Sequence, residues 1–176
     1  MKIRPARTTR KLNSQAWARY SKRKPKKNFI KALPRNSLHI FQMGVMKPDY
    51  NLMMRLNAND DVQLRSNAIE AARQAANKYL EKSLTGNYFL RVNIYPHNVL
   101  REKRMASGAG ADRISQGMTL AFGTPTAVAA RVKKGQTVFE LMINESKKEI
   151  GLEALRRSSK KLSGTYTIEK SQIRSA

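Results

Sequence analysis

The chain has 176 residues, a formal net charge of +23, an apolar content of 40% and no cysteine. This length suits one domain with chain to spare for an arm. The lack of cysteine excludes a disulfide scaffold and any thiolate zinc site, and no apolar run reaches the about 20 residues that a membrane helix needs.

The charge is unevenly spread. Fourteen of the 35 lysines and arginines precede the first carboxylate, Asp49, so the first 48 residues contain no acid at all. Self-repulsion of this kind opposes compaction unless a polyanion neutralises it. Lysine and arginine displace the counterions condensed on nucleic acid, and their release drives association. Nucleic acid is therefore the expected partner. Residues 1–36 read as an extended basic arm, interrupted by Pro5, Pro25 and Pro34. Its backbone-binding positions are Lys2, Arg4, Arg7, Arg10, Lys11, Arg19, Lys22, Arg23, Lys24, Lys26, Lys27 and Arg35. Trp17 and Tyr20 lie among these charges, where stacking on unpaired bases and anchoring to the protein's own body are both open. No apolar stretch follows the basic start, as a secretory signal requires. Prolines, Trp17 and lysine runs spoil a transit-peptide helix. The expectation is a soluble, cytoplasmic protein.

A folded domain is expected over residues 37–170, followed by a tail at 171–176. His39 to Met43 reads as a short strand, closed by turn residues Gly44 and Pro48. Leu52, Met54 and Leu56 alternate with Met53, Arg55 and Asn57, a half-buried strand. The spacing of Ala68, Ala72, Ala75, Ala76, Tyr79 and Leu80 predicts a helix over about 63–83 whose small face sits close to a sheet. Asp60, Asp61 and Ser66 are candidate caps, Asn67 with Glu70 has capping-box spacing, and Gly86 ends the helix. Leu90, Val92 and Ile94 alternate with Phe89, Arg91, Asn93 and Tyr95 in a strand that Pro96 stops, and His97 to Arg101 is extended. Ala127 to Val132 and Thr137 to Ile143 are strands whose junction, Lys133-Lys134-Gly135-Gln136, reads as a hairpin. Ser146 and Glu149 predict the start of a second helix with Ile150, Leu152, Leu155 and Leu162 apolar. Gly151 weakens that helix by about 1 kcal/mol relative to alanine. Tyr166 to Glu169 adds a last strand. The sum is an α+β sandwich, a mixed sheet with two helices.

Between the strands, residues 102–124 lack periodicity and hold four of the nine glycines, Gly108, Gly110, Gly117 and Gly123. A loop of this length in a compact domain marks function or disorder. Gly108 and Gly110 lack the third glycine of a dinucleotide fingerprint, and no Gly-Lys-Ser/Thr ending makes a Walker loop. A small-residue tip with basic shoulders that reaches into RNA fits better. Arg156, Arg157, Lys160 and Lys161 on the second helix exceed what the helix dipole calls for, which favours phosphate contact. Catalysis is not expected. His39 and His97 read as packed strand residues, no metal site or cofactor is expected, and nothing holds Ser107, His97 and Asp112 in the geometry of a triad.

The run Arg101-Glu102-x-x-Met105, with Gly108-Ala109-Gly110-Ala111-Asp112-Arg113-x-x-Gln116-Gly117-Met118, resembles the loop of a large-subunit ribosomal protein family. This family is called L-ten-e in archaea and eukaryotes and L-sixteen in bacteria. Arg4-Pro5-Ala6-Arg7, Glu70-Ala71-Ala72-Arg73, Ala76-Asn77-Lys78-Tyr79, Arg91-Val92 before Pro96-His97, Ala121-Phe122-Gly123 and Glu153-Ala154-Leu155-Arg156-Arg157 fit as well. The likeness runs from about Arg4 to Lys170. Thr8-Thr9 and the absence of a long C-terminal extension resemble archaeal members, whereas Lys103-Arg104 makes the loop shoulder more basic than is common.

The resemblance implies an α/β-hammerhead type sandwich bound to large-subunit rRNA near the tRNA cleft, with the loop approaching peptidyl-site tRNA and the peptidyl-transferase centre. Arg101, Lys103, Arg104, Ser107, Gly108, Ala109, Gly110, Ala111 and Arg113 become the tRNA-proximal candidates, and the arm with the basic second helix the rRNA anchors. Implied partners are rRNA, tRNA and neighbouring ribosomal proteins, with no membrane and no homo-oligomer. An RNA-modifying enzyme and a nucleoid protein that coats duplex DNA are the alternatives. The first needs a cofactor pocket, and the second should prefer duplex DNA to folded rRNA.

Overall fold

The computed structural model describes residues 5, 8, 9, 12, 17 and 23–173. The arm positions Lys2, Arg4, Arg7, Arg10, Lys11, Arg19, Tyr20 and Lys22 lie outside the described residues.

The strands are β1 (Gln42–Gly44), β2 (Leu52–Ala58), β3 (Val62–Arg65), β4 (Phe89–Val92), β5 (Asn98–Glu102), β6 (Thr124–Val132), β7 (Thr137–Ile143) and β8 (Tyr166–Gln172). The helices are α1 (Ser66–Leu84), the single turn α2 (Ala111–Ile114) and α3 (Lys148–Ser159). The fold is α+β. It is not built on one mixed sheet with two helices, however. Every strand pair among the described residues is antiparallel, and the strands divide into a five-stranded sheet, β1-β4-β7-β2-β8, and a three-stranded sheet, β3-β6-β5.

Period-two patterning explains the larger sheet. Leu90, Leu141 and Met54 face one another across β4, β7 and β2, as do Val92, Phe139 and Leu56, and all six are buried. This face carries α3, which packs on β2, β7 and β8, while α1 lies along α3 and against β3 and β6. The opposite face carries the cross-strand row Gln42, Arg91, Glu140, Arg55 and Glu169. Alternating charges across neighbouring strands stabilise such a row, and Arg55 donates to Glu140 at 3.2 Å.

Several local expectations are overturned by tertiary contacts. Gln63 to Arg65, the start of the predicted first helix, belong to strand β3 because β6 pairs with it. Asp60 accepts a hydrogen bond from the Thr165 hydroxyl at 2.6 Å and Asp61 one from the Lys134 amide at 2.8 Å, so neither caps α1. The N-cap of α1 is Arg65, with no side-chain cap bond, and Glu70 turns to Arg73 and Gln74 instead. Residues Glu145–Lys147 form a 3-10 turn ahead of α3, whose N-cap is Lys147 with no side-chain cap, so Ser146 and Glu149 make no capping box. The turn at Lys133-Lys134-Gly135-Gln136 is real, with Gly135 at φ +79°. It joins no hairpin, because β6 and β7 belong to different sheets and the turn carries the chain from one to the other. His39 and His97 are exposed and lie outside the strands.

Two glycines have packing reasons. Gly44 has φ +80°, and an added Cβ would fall 2.0 Å from the Tyr88 carbonyl oxygen. At Gly151 a Cβ would fall 2.6 Å from Ile143 Cδ1, so the residue that weakens α3 also lets it approach the sheet.

Candidate nucleic-acid interface

The candidate interface has three parts: the described end of the arm, the exposed side of α3, and the loop from 103 to 123. The arm docks on the three-stranded sheet. Ile30 is buried with Val99 and Val128, and Trp17 and Phe29 pack against that cluster. Trp17 meets Phe29 and Phe122 edge-on, each with ring centroids 5.2 Å apart. The Arg101 guanidinium lies 4.1 Å from the Trp17 ring centroid and 3.5 Å from that of Phe122. Of the two readings left open, Trp17 takes the anchoring one. Arg101, half-buried at the end of β5, is the cation that joins arm to loop. Farther along, Arg23, Lys24, Lys26 and Lys27 are exposed around a 3-10 turn over Pro25–Lys27.

On α3 the four expected cations divide. Arg157 donates to Glu153 at 2.8 Å and its guanidinium sits 4.0 Å from the Tyr79 ring centroid, which ties α3 to α1. That bond to Arg157 holds the Glu153 carboxyl below the usual range. Arg156, Lys160 and Lys161 are exposed, with no ion-pair partner among the described residues.

The loop closes on itself in rungs. At its root Gly123 is buried, and a Cβ there would lie 2.6 Å from the Glu102 carbonyl carbon, so only glycine lets the two limbs close. Above it the Lys103 ammonium donates to the Thr119 carbonyl at 3.1 Å, and the Ala106 amide donates to the Ser115 hydroxyl at 3.4 Å. Gly108 and Gly110 adopt φ +120° and +76°, turning the chain into α2. Ser107, Gly108, Ala109, Gly110 and Arg113 are exposed and Ala111 is half-buried. The nine loop candidates thus form two groups. Arg101 and Lys103 brace the root, whereas residues 107–111 and Arg113 make a small-residue tip with one cation, and Arg104 is exposed on the shoulder between them.

The residues that composition did not point to are apolar. Met105, Ile114, Met118 and Leu120 are 55–80% exposed on this one loop. Phe29 and Phe122 both meet Trp17, and no local pattern in the sequence signals that these three rings come together. Among the described residues no group of His, Asp and Glu could hold a metal ion, and no helix is long and apolar enough to cross a membrane.

The model of a family described as ribosomal protein L16p/L10e matches residues 17–169. A relative from Archaeoglobus fulgidus, named large ribosomal subunit protein uL16, is 43% identical over 150 residues, covering 85% of this chain and 86% of its own. Proteins of the same name from Methanococcus maripaludis and Hyperthermus butylicus are each 40% identical, over 92% of this chain and 90% and 89% of theirs.

Proposed function

The chain belongs to the ribosomal protein L16p/L10e family, and from that premise we propose that it binds large-subunit rRNA beside the tRNA cleft and directs its loop toward peptidyl-site tRNA. The coarser role is that of the family, a structural constituent of the large ribosomal subunit and not an enzyme. Its mechanism is electrostatic. The arm and the exposed cations Arg156, Lys160 and Lys161 neutralise phosphates so that RNA segments approach one another, while the two sheets hold those cations in fixed relation. Arg157 contributes chiefly by locking α3 to α1.

The observation that carries the reading is the built loop. Its root is braced by Arg101, Lys103 and Gly123, and its tip presents glycine and alanine backbone beside Arg113. Small residues let that backbone approach a sugar–phosphate surface, and the apolar flanks of the loop gain stability when RNA or protein covers them. The chemistry of peptide transfer stays with RNA.

A photocrosslinker at Ala109 tests this. In purified ribosomes carrying tRNA in the peptidyl site, the crosslink is expected on that tRNA. Crosslinks confined to ribosomal protein, unchanged when tRNA is removed, would refute the placement of the tip.

A further inference from the structure

A cleft of about 380 Å3 lies where the arm, the start of α1 and the loop shoulder meet. Three arginines from separate parts of the chain wall it: Arg35 of the arm, Arg65 at the end of β3, and Arg104 of the loop. Glu102 is the one carboxylate on its lining. Arg35 and Arg104 are exposed and have no ion-pair partner among the described residues. Ser66 and Asn67, the first two residues of α1, complete the wall.

We propose that this cleft binds a phosphodiester of the large-subunit RNA backbone, and that this contact sets the direction of the loop. The inference rests on the rRNA-binding reading and deepens it. Arg35 and Arg104, exposed on the two sides of the cleft, repel one another until an anion lies between them. The planar fork of arginine also matches phosphate oxygens with paired hydrogen bonds. The arginines make the site, and the helix start adds to it. Residues Ser66 and Asn67 belong to a first turn with no acidic residue and no side-chain cap, so its amides lack intrahelical acceptors and carry partial positive charge. Arg104 leaves the tRNA-facing set on this reading. It clamps the shoulder to rRNA, so the loop is aimed only when the cleft is filled.

The test uses the full chain, a transcript of archaeal large-subunit rRNA, and inorganic phosphate as the small probe. N67D puts a carboxylate in the first turn of α1, where the helix dipole favours it. Its melting temperature should match or exceed that of the parent, while rRNA affinity falls about ten-fold in moderate salt. R104Q should cost a similar factor and flatten the salt dependence by about one phosphate contact. The double variant should lose less than the product of the two, because both act on one phosphate. Phosphate should shift the Ser66 and Asn67 amide resonances saturably, and R104Q should abolish the shift. N67D binding rRNA like the parent, or losses that simply multiply, would overturn the cleft while leaving rRNA binding intact. A phosphate shift with no effect of either variant on rRNA affinity would also overturn it, as a free-anion site only. A parent protein that does not prefer this rRNA to an unrelated transcript of equal length would remove the rRNA reading, and the cleft with it.

Discussion

Removing the Arg101 guanidinium should release the arm from the body without unfolding the domain. Arg101 lies 4.1 Å from the Trp17 centroid and 3.5 Å from that of Phe122. A cation over an aromatic ring contributes about 0.5–1 kcal/mol when exposed and about 2 when desolvated. Arg101 is half-buried, so two such contacts amount to about 2 kcal/mol. Since 1.4 kcal/mol is ten-fold, R101A should weaken docking of the arm by about thirty-fold. Trp17 is the only tryptophan, which makes its fluorescence a direct reporter. In the free protein its emission should be blue-shifted and shielded from acrylamide. R101A should shift the emission to the red and raise quenching, whereas the core, centred on Phe139, Leu141 and Leu56, should melt within a few degrees of the parent. R101K should fall between, since it keeps the charge and loses the planar stack. Unchanged quenching in R101A, or a parent Trp17 as open to acrylamide as free tryptophan, would refute the reasoning.

G44A should cost about 2–4 kcal/mol, because a methyl must fit 2.0 Å from the Tyr88 carbonyl oxygen at φ +80°; urea denaturation would show a lower midpoint with an unchanged slope. Glu70 gives a pH dependence of definite sign. Its hydrogen bonds from Arg73, aided by Gln74, hold its carboxyl below the usual carboxylate range. A depressed folded-state pKa stabilises the fold at pH values above the ordinary glutamate pKa, and that contribution disappears as pH falls through the folded value. E70Q should therefore be about 1–3 kcal/mol less stable than the parent at neutral pH, with buried Arg73 left without its counter-charge. That gap should close on acidification, as followed by denaturant melts across pH. K160A with K161A should leave the melting temperature alone and reduce the slope of log affinity for rRNA against log salt by up to about 2, measured by filter binding.

The parts of this fold legible in sequence are those fixed by nearest neighbours. Alternation in Leu52 to Asn57 and in Phe89 to Tyr95, and the alanine spacing of α1, needed no knowledge of what lies across from them. Gln63 to Arg65 have the composition of a helix start, and only pairing with β6 makes them strand. The same holds for the turn at Lys133–Gln136. Its local chemistry is that of a hairpin, but whether the flanking strands pair is decided by β2, β3, β4 and β5, which compete for their edges. The two capping boxes failed because Glu70 found a stronger partner in buried Arg73, and because a 3-10 turn takes up Ser146. The site divides in the same way. Arm and α3 cations are visible as runs of like charge, and the loop as a break in periodicity. Arg65 gave no signal, because its value comes from lying beside Arg35 and Arg104, residues tens of positions away. Likewise Arg101 read as one more loop cation, and only Trp17 and Phe122 together make it a brace.

The most direct test of the account is sedimentation of the tagged protein from lysate through sucrose gradients at rising salt. An integral constituent held by many phosphate contacts should stay with large subunits and translating ribosomes through a high-salt wash. A protein found near the top of the gradient, or stripped at modest salt, would contradict the claim that this chain is built into the subunit through its rRNA.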